Sequence, residues 1–184
     1  MQQIKKEFKE LFWDNRKYIK IWVVRQILIV AILFWMVIIF GFSSADAEES
    51  KSTSDIITGK IITYIYTEYD ELSDAKQQEA WHRTSFIVRK TGHFGEYAIL
   101  GLMMGVLLIT FRGIREHSTR LFWSEVLGVL YAVTDEIHQG FVDGRSPQIR
   151  DVFIDAMGFL SAILFIVLVF LLIKIMNNQI SVSE

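Results

Sequence analysis

The chain has 184 residues, a length typical of one compact unit. Hydrophobic residues make up 52% of it and its mean hydropathy is +0.32, and both values are high for a soluble domain. The net charge of −2 gives no strong field that would point to nucleic acid, and the absence of cysteine excludes disulfides and cysteine-ligated metals. Because the hydrophobic residues lie in long blocks, the composition favours a membrane protein.

Four blocks are long and apolar enough to predict transmembrane helices: residues 26–42, 93–111, 121–141 and 152–173. The last block is the clearest, because its 22 residues reach roughly 33 Å as a helix and its one charge is Asp155. The first is short, but Lys20 and Arg25 can snorkel and extend it. The middle two carry acids and histidines, so we expect those groups to face other helices. The third is also a candidate for a broken or re-entrant helix.

The remaining segments are polar. Residues 43–90 are predicted to form an extracytoplasmic loop with two short helices, near residues 54–69 and 74–87, although the alternation in ITYIYT also permits a strand. Residues 1–20 have the pattern of a basic amphipathic helix on the cytoplasmic surface and not of a cleavable signal. Residues 1–184 are therefore predicted to form a single domain, an all-α polytopic membrane protein with about four transmembrane helices.

The basic residues predict the orientation of the spans. Eleven lie on the side that carries both termini and eight on the other side, and six of those eight are spread over residues 43–90 among nine acids. Short basic flanks decide orientation more than long loops do, so both termini are expected in the cytoplasm.

This topology brings the ionisable side chains of the spans to one level. At helical rise, six of them lie within roughly 10 Å of the outer interface: His93, Glu96, Asp135, Glu136, His138 and Asp155. Glu125 is the exception and is expected near the inner face.

Helical spacing predicts that these side chains point into the bundle. Three sets share a helical face: Arg89, His93 and Glu96; Tyr131, Asp135 and His138; and Asp151, Asp155, Gly158 and Ala162. The second span also presents Ala98, Gly101 and Gly105. Small residues allow helices to approach closely, so the polar face and the packing face should coincide.

A charge at the centre of a membrane helix costs about 2.5–3.5 kcal/mol, so these groups must pair, be hydrated or bind a ligand. One interpretation is structural, with Arg89, Arg145 or Arg150 pairing with the acids to hold the helices together. The other is a functional site open to the outer leaflet, which we expect of the cluster as a whole. The candidate ligand-binding residues are Arg89, His93, Glu96, Tyr97, Asp135, Glu136, His138, Gln139, Arg145, Arg150, Asp151 and Asp155.

Three motifs resemble the VanZ family, which is named for a teicoplanin-resistance protein. They are IIFGFSS at the end of the first span, RKxxHFxEYxxLG at residues 89–101, and YAVTDEIHQGFVDGRSPQIRDVFIDAMG at residues 131–158. One departure is Thr91-Gly92, where the family often has a small residue before the histidine. The resemblance implies a multi-pass bacterial envelope protein. For some members it also implies a link to glycopeptide or lipoglycopeptide susceptibility, without supplying a mechanism.

Three functions fit the cluster, and the first is binding. Arg89, Arg145 and Arg150 could hold the phosphate or carboxylate of a lipid-linked envelope precursor, or a glycopeptide, because the guanidinium fork binds such groups bidentately. A proton-coupled carrier is the function ranked last of the three, because four spans are few for transport.

The second function is an enzyme that acts on a lipid-linked cell-wall substrate. His93 or His138 would be the general acid–base, oriented by Glu96 or Asp135, and Glu136 completes the catalytic candidates. No cofactor is expected. A divalent metal held by His93, Glu96, His138 and Asp155 stays a lesser alternative, because no spacing matches a motif such as HExxH. No nucleophile stands out, since Ser43 and Ser44 look like ordinary span-end residues.

Overall fold

A computed structural model describes the backbone of residues 2–66, 68–111 and 117–180, and in that part the chain is helical with no strand. The elements are α1 (Gln2–Ser44), α2 (Ala47–Ile65), a 3-10 turn (Tyr69–Glu71), α3 (Asp74–Ile109), α4 (His117–Gln139) and α5 (Ile149–Ile180). The all-α prediction is confirmed. The strand alternative for ITYIYT is wrong, because α2 continues to Ile65.

Three of these helices are long and apolar enough to cross a membrane: Ile19–Ser44 within α1, Asp74–Ile109, which is α3, and Ile149–Ile173 within α5. They contain the first and fourth predicted spans, and the second except for its last two residues. Helix α4 carries the third predicted span and does not meet the same criteria, but it runs from His117 to Gln139 without a break. The chain is thus an all-α membrane protein.

Helix α3 is longer than the sequence pattern indicated. The short helix predicted near residues 74–87 and the span predicted at 93–111 form one helix of 36 residues. Its length of roughly 54 Å exceeds a bilayer core of about 30 Å. The N-terminal part of α3 therefore extends beyond the apolar part, so the stretch 43–90 is largely helical.

Helix α2 packs against this extension, and we call the two together the cap (residues 47–65 and 74–89). Asp46 starts α2 by accepting a hydrogen bond from the Glu49 backbone N–H at 2.8 Å, two residues after α1 ends. Ser54, Thr58 and Ile62 recur every four residues and form its buried face. Gly59 on this helix lies against the Trp81 ring of α3.

Small residues hold α3 and α5 close together, as the sequence predicted. A Cβ atom at Gly158 of α5 would lie 2.3 Å from the backbone oxygen of Phe94, and one at Gly101 of α3 would lie 2.6 Å from that of Phe159. The buried Phe159 ring also fills the space beside Gly128 of α4. The three helices therefore share a tightly packed centre.

The two ends of the bundle differ in chemistry. At one end, the Arg25 guanidinium of α1 donates hydrogen bonds to the Thr110 hydroxyl at 3.0 Å and to the Thr110 carbonyl, and it lies 4.0 Å from the centre of the Phe111 ring. It thereby caps the C-terminus of α3. The opposite end holds a group of acids and two histidines: Asp135, Glu136, Asp151, Asp155, His93 and His138. The side chains of residues 1–18, and of Arg112, Arg115, Arg120 and Lys174, lie outside the described part.

Replacing Gly158 with alanine should destabilise the protein. The new methyl group would meet backbone atoms that cannot rotate away, so we expect a loss of about 1–3 kcal/mol, as for overpacked cores. Thermal unfolding in detergent measures it. The matched control is Gly92→Ala on α3, where a Cβ meets nothing within 4 Å. Equal melting temperatures for the two variants would contradict the packing described here.

Candidate functional site

Carboxylates from two helices are buried at the polar end of the bundle. Asp135 and Glu136 of α4 are 3% and 4% exposed, while Asp151 and Asp155 of α5 are 6% and 0% exposed. Glu96 of α3 is half-buried beside them. Buried acids are rare unless they are paired, so each needs a physical account.

Helices α3 and α5 face each other with bases on one and acids on the other. The Lys90 ammonium of α3 donates to both oxygens of Asp151, at 2.5 and 2.6 Å. One turn further into the bundle, His93 Nδ1 lies 3.7 Å from Asp155 Oδ1. The acid facing His93 is therefore Asp155 and not Glu96, because the glycine-mediated approach of the helices favours the partner on α5.

The structural interpretation from the sequence assigned the ion pairing to arginines, and this is wrong for the closest pair. Lys90, which the sequence reading left out of the site, makes that pair. One signal was available: Lys90 and His93 are three residues apart and Asp151 and Asp155 four apart, so both pairs repeat at one helical turn.

Helix α4 contributes its acids in a different way. Glu136 accepts a hydrogen bond from the Gln148 backbone N–H at 2.5 Å and thereby fastens the loop that leads into α5. Asp135 accepts one from the Gln139 amide at 3.4 Å. His138 faces α1: its ring stacks on Phe40 at 4.2 Å, and its Nε2 lies 3.1 Å from the Ser44 hydroxyl. Ser44 is thus a contact of the polar end, and not merely a span-end residue.

Aromatic residues separate the acids from the apolar core. Tyr97 is fully buried, and its ring centre lies 5.9 Å from that of Tyr131. The Tyr131 hydroxyl donates to the Met36 carbonyl at 2.6 Å, and the Trp35 indole N–H donates to the Glu96 carbonyl at 2.9 Å. These bonds join α1 to α3 and α4 directly beneath the cluster and fix its floor.

Several buried polar atoms of the cluster have no hydrogen-bond partner within the described part of the chain. They are Ser43 Oγ, His93 Nδ1, the Tyr97 hydroxyl, Asp135 Oδ1, Glu136 Oε2 and both carboxylate oxygens of Asp155. An unsatisfied buried polar group costs about 1–3 kcal/mol. The cluster therefore has polar capacity that water, a shared proton or a ligand group would satisfy.

A cavity of about 200 Å³ opens at this end of the bundle. Its lining comes from α2, α3, the end of α4, the loop before α5, and α5: Ser50, Phe86, Arg89, Lys90, His93, Gln139, Gly144, Arg145, Ser146, Gln148, Arg150 and Asp151. We call it the lower cavity. Gly144 has a φ of 73°, a left-handed conformation that suits glycine and lets the loop turn over the cavity.

The lining of the lower cavity is rich in cations. Arg89, Lys90, Arg145 and Arg150 face one lining acid, Asp151. Arg150 is exposed and lies 4.8 Å from the centre of the Phe86 ring, whereas Arg145 is half-buried. Burial lowers the pKa of the Arg145 guanidinium. An anion in the cavity would offset the loss of solvation that causes this shift.

The structure divides the residues selected from the sequence into three groups. Arg89, His93, Gln139, Arg145, Arg150 and Asp151 line the lower cavity. Glu96, Tyr97, Asp135, Glu136 and Asp155 belong to the cluster beneath it. His138 stands apart against α1. Within the described residues, no three His, Asp or Glu side chains form a group that could hold a metal ion, and the four metal candidates are not assembled as one set.

The Lys90–Asp151 pair should couple α3 to α5 energetically. The side chains of Lys90 and Asp151 are 17% and 9% exposed. In a double-mutant cycle of Lys90→Met and Asp151→Asn, each single change therefore leaves the other member of the pair largely buried without its partner. We expect a coupling energy of about 1–3 kcal/mol in the unfolding free energy. Purely additive effects of the two changes would show that the pair does not form.

The family model described as VanZ/LLP1 matches residues 28–173. Neither the comparison with curated proteins nor the comparison with solved structures found a match. The matched range begins in α1 and ends in α5, and it includes the lower cavity and the acid cluster beneath it. It covers most of the chain, which therefore belongs to the VanZ/LLP1 family.

Proposed function

We propose that this chain is a four-span, single-domain protein of the bacterial cell membrane with both termini in the cytoplasm. Its lower cavity binds an anionic group at the outer face of the membrane, supplied by a lipid-linked envelope precursor or by a glycopeptide. Through this binding it modulates susceptibility to teicoplanin-type glycopeptides.

The exposed surface of α4 supports the proposal that this helix also spans the membrane, together with α1, α3 and α5. Large apolar side chains are exposed along α4 at Phe122, Trp123, Leu127, Leu130 and Ile137, while its acids face the other helices. A helix that is apolar outside and polar inside fits a position between lipid and bundle. With α4 spanning, the polar ends of all four helices lie on one side, and the basic flanks assign that side to the exterior.

The cation-rich lining is the observation that carries the binding proposal. Lys90 is paired with the one lining acid, Asp151, which leaves three arginines in the lining, and their planar fork suits phosphate and carboxylate. About 200 Å³ accommodates a charged head group and not a whole lipid. The cavity lies where the helices leave the apolar core, which is the level of lipid head groups.

This binding supplies a route to altered susceptibility. A precursor whose anionic group is held among Arg89, Arg145 and Arg150 is shielded from a glycopeptide in solution. A glycopeptide held by its own carboxylate is kept from its target. Both routes need the same cations, so one set of variants tests both.

The geometry also favours an enzyme as the second candidate. His93 lines the lower cavity and faces the fully buried Asp155 at 3.7 Å. A histidine held beside a carboxylate is a general acid–base arrangement, and its substrate would be the same lipid-linked anion. Because the acid comes from α5, catalysis would depend on the α3–α5 packing.

Binding of a lipid anion should stabilise the protein, and Arg145 should be required for it. With a short-chain polyprenyl diphosphate at about 100 times its Kd, we expect roughly 2.7 kcal/mol of added stability. The Arg145→Ala variant should lose most of this shift, because Arg145 is half-buried whereas the other two arginines of the lining are exposed. Thermal unfolding in detergent, with and without the lipid, measures it.

The matched control is Arg83→Ala, which removes an exposed arginine of α3 that does not line the cavity. If both arginine variants respond to the lipid as the original chain does, the binding proposal fails. Mass spectrometry of the recovered lipid separates the two candidates. A binding protein returns the lipid unchanged, whereas an enzyme returns a product that disappears in His93→Ala.

A further inference from the structure

A second cavity lies in the cap, between the 3-10 turn and the first turns of α3. Its volume is about 320 Å³, and its lining consists of Tyr69, Asp74, Gln77, Gln78, Trp81 and His82. We call it the upper cavity. The volume falls in the range of small-molecule sites, roughly 300–1,000 Å³. No lysine or arginine is among these residues, so its chemistry differs from that of the lower cavity.

The lining of the upper cavity combines aromatic rings with hydrogen-bonding groups. The Tyr69 hydroxyl donates to the Gln77 carbonyl at 3.0 Å, and the Gln77 amide donates to the Leu72 carbonyl at 3.1 Å, which fixes the turn on α3. Gln78 and His82 are exposed and make no side-chain hydrogen bond to the described residues. Together they offer both donors and acceptors to a ligand.

The two cavities follow one another along α3 and share one stripe of its surface. At 100° per residue, Trp81 of the upper cavity and Lys90 of the lower cavity lie on opposite sides of that stripe. The stripe itself holds Gln78, His82, Phe86, Arg89 and His93, which fall within about 80° of one another. The first two line the upper cavity and the last three line the lower one. The seven helical steps from His82 to Arg89 span roughly 10 Å, which is about the length of a disaccharide.

We propose that the upper cavity binds the neutral saccharide of the same ligand whose anionic group occupies the lower cavity. This inference rests on the proposed function. The apolar face of a pyranose ring packs on Trp81 and Tyr69, as amphipathic ligands do on aromatic side chains. Its hydroxyls bond to Gln78, His82 and Asp74. A lining with a carboxylate and no lysine or arginine suits a neutral, hydroxyl-rich ligand and disfavours a second phosphate.

The test measures binding to the full chain in nanodiscs with two matched lipids, a short-chain polyprenyl diphosphate that bears an N-acetylglucosamine disaccharide and the same lipid without sugar. The variant is Gln78→Ala combined with His82→Ala, and the control is Glu79→Ala, exposed on α3 outside the cavity. Loss of two hydrogen bonds should weaken the sugar-bearing lipid about tenfold in the double variant. Affinity for the sugar-free lipid should not change.

Two further probes separate this inference from the proposed function and identify the source of the sugar. A free N-acetylglucosamine disaccharide, followed by saturation-transfer NMR, reports on the upper cavity alone. The disaccharide signal should appear in the original chain and disappear in the double variant. If this is found while neither lipid binds, the proposed function fails and the saccharide site stands. A glycopeptide that binds better than its own aglycone, with the preference lost in the double variant, assigns the sugar to the antibiotic.

The inference is overturned if the original chain and the double variant bind the sugar-bearing lipid equally and the disaccharide gives no signal. Choline is the remaining control, because aromatic rings beside a carboxylate can also hold a cation. If the chain binds choline and not the disaccharide, and the double variant loses this binding, the ligand of the upper cavity is an ammonium group. That result would also overturn the proposal.

Discussion

Where α5 passes α3, the absence of a side chain at Gly158 lets its backbone meet that of Phe94, and the polar end depends on this contact. Phe94 directly follows His93 and Gly158 lies one turn after Asp155, so His93 and Asp155 face each other at 3.7 Å. A larger residue at position 158 would separate the helices and expose buried acids without their partners. At this end of the bundle, the close packing of the helices and the pairing of their charged side chains therefore depend on the same contact.

The protein places opposite charges at successive depths. The lower cavity is lined by cations from α3, α5 and the loop between α4 and α5, whereas Asp135, Glu136 and Asp155 lie buried beneath it. Positive groups above negative ones stabilise both layers, and the buried Asp155 carboxylate faces the His93 ring at 3.7 Å across the contact between α3 and α5.

Much of the architecture follows from the sequence, because long apolar blocks and the spacing of small residues are local signals. The gathering of acids at one end of the bundle could be predicted from helical rise alone. Other features depend on tertiary packing. The extension of α3 back to Asp74 is stabilised by α2, and the choice of Asp155 as the partner of His93 is made by helix approach. Lys90 was missed because a lysine at a span end is usually solvated.

The proposed site requires that the polar ends of all four helices lie on one side of the membrane. The chain has no cysteine, so single cysteines can be introduced and labelled without background. In intact cells, a membrane-impermeant maleimide should label Thr53→Cys in α2 and Ser146→Cys before α5, and should label Thr119→Cys in α4 only after permeabilisation. Labelling of Thr53→Cys and Ser146→Cys from opposite sides would contradict the shared polar end, and with it the site.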